Sequence, residues 1–533
     1  MMGKKASHAP LMEALLRYRA QDNASYHVPG HKNGQVYKNG QVYKNEDIAS
    51  LLKDVMSIDA TEITGLDDLH HPEDVIREGQ ELAAMCFGAE ESFWLIGGST
   101  VGNLAMILTV CTKPGDLLLV QRNVHKSVLN GLMLSGASAV FLEPKIDTTS
   151  GLAVAPSADT IQTALKAYPS AKGVLITMPN YYGMGHDLTA TAKACHAAHV
   201  PLLVDEAHGA HYGLHPRLPA SALSCGADVV VQSTHKMLPA MTMGAMLHAQ
   251  GGRINRELLR QRLAMVQSSS PSYPLMASLD LARRHIAVHG TNAFTEGLAA
   301  ADAFRKGLKQ LPRFRLVEPI QLAHQENEAQ EGISERLEGD EGEADGYSIH
   351  DPFKMVLYDT FGVLDGFGLK RELEAYGCIP EMSDEKHVVL LFTLGSMIKD
   401  ANHLLQALVH INDDIRFKET AGGPGSMQKE QCGLDLDFST WNNDGAMVYS
   451  SPVQFGLQPV KPDQMEVVAV EDSAGRVAAE MIIPYPPGIP LLYAGETITE
   501  SIVKRMRRLR ELGAKWQGAA DDRLLTIRVF RLK

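Results

Sequence analysis

Between residues 92 and 233 the chain alternates six short apolar runs with helical stretches, and this alternation constrains the fold more than any other feature. The runs are "SFWLIG" (92–97), "DLLLVQ" (116–121), "SAVFLE" (138–143), "GVLITMP" (173–179), "VPLLVDE" (200–206) and "DVVVQS" (228–233). They are rich in leucine or β-branched residues and bounded by turn residues, the pattern of strands buried on both faces. Between them, 159–168 and 189–199 read as helices. Strands alternating with helices predict an α/β layer with a mostly parallel sheet. In such sheets ligands gather at the carboxyl ends of the strands. The residues that follow each run are therefore the ones to read for chemistry.

The flanks differ. "PLMEALLRYRAQ" (10–21) reads as a helix, followed by an irregular arm in which "GQVYKN" occurs at 34–39 and again at 40–45. Two such copies lengthen a loop; they do not make a solenoid. A long helical stretch is expected over 274–311. Residues 326–345 then hold nine acidic residues and one arginine, with almost no large apolar side chain, and read as a disordered insertion. Residues 352–533 mix strand and helix patterns around a Pro-rich turn, "IPYPPGIP" (483–490). The expected division is an N-terminal helix and arm (1–46), a large domain (47–311), a linker carrying the acidic insertion (312–351) and a C-terminal α+β domain (352–533).

The net charge is −13, and the acidic segment supplies −8 of it, which leaves −5 for the rest. Nothing in that balance suits nucleic acid. The six cysteines form no C-x-x-C pair, which suggests free thiols in a reducing compartment and no structural zinc. No apolar run approaches 18 residues, so no membrane span is expected. The first residues lack the apolar core of a signal peptide. The cytoplasm is the default location.

Four strand ends carry polar groups. "GGSTVGN" (97–103) follows the first run, and its glycines, Ser99 and Thr100 open a helix, a suitable cradle for a phosphate. His125 follows the second run. Asp205 ends "VPLLVD", with His208 and His211 just beyond, and Lys236 follows "DVVVQSTH". The "DEAH" at 205–208 resembles an ATPase box, but no Gly-Lys-Ser/Thr loop exists anywhere in the chain. A metal site from Asp205, His208, His211 and His215 has loose spacing and no completing ligand. The reading that joins Asp205 to Lys236 has clear chemical logic. Pyridoxal phosphate (PLP) needs a lysine to hold it as a Schiff base and an aspartate to keep its pyridine nitrogen protonated. It also needs a phosphate cradle, for which Ser99, Thr100, Ser233 and His235 are candidates. A flat residue over the ring, such as His125, completes the set.

At this point the sequence resembles the Orn/Lys/Arg decarboxylases, PLP enzymes of the aspartate-aminotransferase-like fold type I. The likeness runs through "YHVPGHKNG" (26–34), "DATEITGLDDLHHPEDVI" (59–76), "GGSTVGN" (97–103), "VDEAHGAH" (204–211), "QSTHKML" (232–238), "SSSPSYPLMASLD" (268–280) and "IPYPPGIPLLYAGE" (483–496). It implies that Lys236 carries the cofactor, Asp205 pairs with the pyridine nitrogen, His125 stacks on the ring and His208 lies beside it. Ser99, Thr100, Ser233 and His235 would surround the phosphate, with Ser268 and Ser270 reaching the phosphate of the neighbouring subunit in a homodimer. Because the motifs begin by residue 26, the chain looks like the short form, without the wing domain of the long members. The implied activity is decarboxylation of arginine, lysine or ornithine, feeding polyamine synthesis. Either Lys236 or His208 would return the proton to the α-carbon. Candidates to read the substrate's distal cation are Glu62, Asp67, Asp68, Glu381 and Asp384. The alternatives are another fold-type-I reaction, such as transamination, and a PLP-binding protein without turnover.

Overall fold

A computed structural model describes residues 6–35, 52–319, 347–421, 448–485 and 489–531. The duplicated "GQVYKN" beyond its first two residues, the acidic segment, Cys432 and the centre of the Pro-rich turn lie outside these residues.

All six apolar runs form strands: β1 (Glu91–Leu95), β2 (Leu117–Gln121), β3 (Ser138–Leu142), β4 (Val174–Thr177), β5 (Leu202–Asp205) and β6 (Val229–Gln232). A seventh, β7 (Ala245–Ala249), joins them in one sheet of order β1-β7-β6-β5-β4-β2-β3, with Val453–Gln454 beyond β3. The five strands β3, β2, β4, β5 and β6 are mutually parallel. β7 runs antiparallel to both β6 and β1. The sequence "AMLHA" hides β7 because a histidine interrupts it. That residue, His248, is fully buried, and its two ring nitrogens lie 2.7 Å from Ser92 Oγ and 3.2 Å from Gln232 Oε1. Burial pushes its pKa down to about 3, so the ring is neutral and donates from one nitrogen while accepting at the other.

Among the described residues, these helices frame the sheet and its flank. They are α1 (Pro10–Gln21), α2 (Val75–Phe87), α3 (Gly98–Val110), α4 (Lys126–Ser135), α5 (Ala158–Ala167), α6 (Thr189–Ala197), the short α7 (Thr234–Met237), α8 (Arg256–Val266), α9 (Tyr273–His289) and α10 (Thr295–Leu308). Leu, Val and Ile side chains of the sheet pack on α3, α4 and α8 on one face and on α5 and α6 on the other. The single helix expected over 274–311 is two. It breaks at Gly290, whose φ of 53° and ψ of −136° no helix continues through, and a 3₁₀ turn follows.

Beyond α10 an antiparallel sheet forms from β8 (Phe314–Leu316), β9 (Lys354–Asp359), β10 (Met382–Ser383) and β11 (Val388–Leu391), in the order β10-β11-β9-β8. Helices Gly366–Ala375 and Ile398–Ala421 belong to the same region. Farther on, Met465–Ala469 pairs with Thr526–Phe530, and helix Glu500–Glu511 packs into a separate small core beside them. None of the described helices is long and apolar enough to cross a membrane.

The seat of α3 on the sheet fixes the first strand end. A Cβ at Gly102 would lie 2.4 Å from Val231 Cγ2 and 2.9 Å from Leu95 Cδ1. Both neighbours are fully buried, so neither can yield cheaply. Replacing Gly102 by Ala should therefore cost about 1–3 kcal/mol in urea unfolding, the usual penalty of overpacking. An unchanged denaturation midpoint would show that α3 can ride outward.

Candidate active site

The parallel register brings the carboxyl ends of β2, β4, β5 and β6 to one edge of the sheet. Asp205 is the last residue of β5 and pairs with Val231 of β6. It is only 2% exposed. A buried carboxylate needs donors, and this one has them: Asn103 Nδ2 donates to Oδ2 at 2.8 Å and the Ala207 N–H to Oδ1 at 3.2 Å. Asn103, from the first turns of α3, also donates to Ser127 Oγ at 2.9 Å. The Ser127 hydroxyl and backbone N–H both point at His125 Nδ1, at 2.9 and 3.2 Å. A single network thus runs from Asp205 through Asn103 and Ser127 to His125. Because Nδ1 accepts, His125 carries its proton on Nε2 when neutral. Burial lowers its pKa, against the pull of the Asp205 charge.

The glycine turn at 97–98 opens α3 with no side-chain cap and no acid in its first turn. Ser233, at the end of β6 and 1% exposed, donates its hydroxyl to Ser99 Oγ at 2.9 Å. Thr100 stands exposed in the same turn. His235 Nδ1 is tied to the Gly244 carbonyl at 2.9 Å. Ser268 and Ser270 lie elsewhere, exposed on the turn before α9, where Ser270 N–H donates to Ser268 Oγ at 3.1 Å.

Lys236 sits in the one-turn helix α7. Its Nζ lies 3.0 Å from His208 Nε2 and 5.9 Å from the centre of the Tyr181 ring. Burial lowers its pKa, with the charges of Asp205 and Glu381 opposing. The other nitrogen of His208, Nδ1, lies 3.1 Å from the Nζ of a second lysine, Lys354. Lys354 opens β9 and is fully buried. Burial, helped by the Lys236 charge and opposed by Asp351 and Glu381, brings its pKa down to about 8. His208, packed on the Tyr181 ring at 4.4 Å, is held well below its usual pKa by burial first and the two lysines next.

His211 and His215 turn to other partners: His211 Nε2 meets Asp351 at 3.0 Å, and His215 Nδ1 accepts from the Arg217 N–H. The five acids named from sequence separate clearly. Asp67 accepts from the backbone N–H groups of Asp68, Glu73, Asp74 and Ile76, so it is a loop anchor. Asp68 accepts from the His70 N–H. Asp384 accepts from the Lys386 and His387 N–H groups and the Tyr182 hydroxyl. Burial pushes its carboxyl up, but His387 and Tyr182 outweigh that and leave it at about 2. Glu62 is exposed. Glu381 accepts the Tyr181 hydroxyl at 2.5 Å and so borders the Lys236 pocket.

Residues 9–400 match the family model for the major domain of the Orn/Lys/Arg decarboxylases, and residues 449–522 match the model for their C-terminal domain. The chain belongs to the Orn/Lys/Arg decarboxylase family. It is 39% identical to the Bacillus subtilis protein YaaO over 96% of each chain. It is 31% identical to the arginine decarboxylase of the same organism over 98% of each chain. The lysine decarboxylase of Hafnia alvei is 25% identical, over 96% of this chain and 76% of that one. Among solved structures, the Francisella novicida lysine decarboxylase superposes with a TM-score of 0.76 at 20% identity, covering 98% of this chain and 81% of that one. The mixed α/β architecture with a mostly parallel central sheet is thus the expected one.

Sequence reasoning missed Asn103, Ser127, Tyr181 and Lys354. Asn103 lies inside a motif already noted, and its place two turns into a helix behind a strand tip was the available signal. Replacing Asn103 by Leu leaves Asp205 Oδ2 and Ser127 short of a donor. The variant should lose about 1–3 kcal/mol of stability in urea unfolding. A loss below a few tenths would mean that water or a neighbour replaces the amide.

Proposed function

We propose that this protein is a PLP-dependent decarboxylase that removes CO2 from a basic amino acid, arginine, lysine or ornithine. One observation carries the reading: Asp205, a buried carboxylate with one donor on each oxygen, stands on the same sheet edge as Lys236, a lysine with lowered pKa. The donor set suits PLP. Lys236 would hold it covalently, Asp205 would meet its pyridine nitrogen, and His125 would present a flat ring. Ser99, Thr100, Ser233 and His235, with the uncapped start of α3, would surround its phosphate. The Oδ1 of Asn103, buried with no partner in the protein, leaves an acceptor free beside Asp205. When bound, PLP supplies the electron sink that takes the charge left by departing CO2.

The chain's own residues do the rest. Asp205, held in place by Asn103 and the Ala207 N–H, would lie against the pyridine nitrogen and favour its protonated form. His208, neutral at physiological pH, sits where it can exchange a proton with Lys236 Nζ; one of these two returns the proton to the α-carbon. Glu381 is the acid assigned to the distal cation, since Tyr181 links it to the Lys236 pocket. Full-length likeness to arginine decarboxylases makes arginine the first substrate to test. The protein is proposed to act in the cytoplasm, in polyamine synthesis, as a homodimer or higher oligomer with its sites at the subunit interface. In that arrangement Ser268 and Ser270, exposed on their turn, are the residues assigned to the partner's phosphate.

The purified protein with PLP should release CO2 and the matching amine from at least one of arginine, lysine and ornithine. Release from none of the three would sink the reading; an oxo-acid product would point to transamination. Lys236→Ala should abolish both turnover and the visible band that belongs to PLP joined to the lysine as a Schiff base. Glu381→Gln should raise KM by about tenfold or more with a smaller change in kcat, the mark of lost binding to the distal group. A fall in kcat alone would assign Glu381 to another task.

A further inference from the structure

Two lysines approach the two nitrogens of one imidazole. Lys236 Nζ lies 3.0 Å from His208 Nε2, and Lys354 Nζ lies 3.1 Å from His208 Nδ1. A neutral imidazole has one acceptor and one donor, and a charged one has two donors. An ammonium group can only donate. Both lysines therefore cannot be ammonium ions while both contacts are hydrogen bonds. If Lys354 is the ammonium, it donates to Nδ1, and the Nε2–H of His208 donates to a neutral Lys236 amine. If Lys236 takes the proton, the imidazole changes tautomer and Lys354 becomes the neutral amine. The two states differ by one proton passed through the ring, in at one nitrogen and out at the other.

We propose that Lys354 is a positioning residue: as the ammonium that donates to His208 Nδ1, it keeps the Nε2–H directed at Lys236 and leaves Lys236 as the free amine it must be to act as a nucleophile. This rests on the reading of Lys236 as the covalent anchor. An amine attacks a carbonyl only through its free lone pair, and the state with Lys354 protonated is the one that supplies it.

Other features show that the chain is built around this lysine. Burying an ammonium group costs several kcal/mol, so a fully buried lysine needs a reason. The backbone makes room for its stem: a Cβ at Gly183 would lie 2.6 Å from Lys354 Cγ and 2.7 Å from its Cβ. Tyr181 lies against both amino groups, 5.3 Å from Lys354 Nζ and 5.9 Å from Lys236 Nζ. The titratable groups that face Lys354 are Asp351 and His350 on its own segment, Glu381 and Tyr181 from the segments beside it, and His208 and Lys236 across the cleft. Asp351 is already engaged by His211 and the Phe353 N–H, so it is not a dedicated counter-ion. The depressed pKa of both lysines agrees with a pair that holds fewer protons than two free lysines.

The test uses the full-length, cofactor-free protein. Acetic anhydride labelling of Lys236, read by peptide mass spectrometry from about pH 6 to about pH 10, gives the pH at which its amine becomes free. Stopped-flow uptake of PLP, followed by its visible band, gives the same midpoint without any substrate. In Lys354→Met the midpoint should rise by about one unit, slowing both reactions about tenfold near neutral pH while leaving them equal to wild type at high pH. Lys354→Arg, a permanent cation, should hold His208 in the favourable tautomer and restore the neutral rate. Where arginine does not fit, the shape of the methionine profile decides. A rate lowered equally at every pH, or an unshifted midpoint, would overturn the proposal. Failure of the wild type to take up PLP would overturn the cofactor reading instead, and the labelling profile would still report on the lysine pair.

Discussion

Asp205 is a charge taken almost completely out of water, and much of the site is arranged to make that tolerable. Desolvating a carboxylate costs several kcal/mol unless donors replace the lost water. The donors come from two directions: the backbone just past β5, and Asn103 on α3. For Asn103 to reach, α3 must lie directly on the sheet, which Gly102 permits. That placement in turn sets the open start of α3 beside Ser233 and aligns Ser127 and His125. One electrostatic requirement thus links helix packing, strand register and the shape of the cleft.

The sheet edge was legible in the sequence because it follows from local pattern. The apolar runs at 116–121, 200–206 and 228–233 fall within two residues of the observed strands. Two failures have local causes. His248 broke the apolar pattern of β7 because a satisfied buried histidine looks polar. Gly290 reads as helix in the sequence because its positive-φ conformation leaves no mark beyond the residue type.

The missed site residues are a different matter. Tyr181 and Lys354 belong to segments whose sequence shows nothing but a turn and a strand, "NYYG" and "DPFKMVLYD". Their importance arises from how the antiparallel sheet of the C-terminal half docks onto the parallel one, a long-range fact that periodicity does not encode. The same holds for the acids. Asp67 and Asp384 look like pocket residues in a motif and a loop, yet each is consumed by the backbone N–H groups around it. Glu381 differs only in what it touches.

Gly183 has a consequence beyond the space it leaves. The stem of Lys354 occupies the volume in which a side chain at 183 would sit, and Gly183 itself has a φ of 84° that favours glycine. The two positions therefore act as one hereditary unit. A chain drifting away from lysine at 354 loses part of the steric ban on side chains at 183. Once a larger residue settles there, lysine cannot simply be restored. The door back closes sterically before it closes chemically, so loss of the second lysine would be hard to reverse by a single substitution.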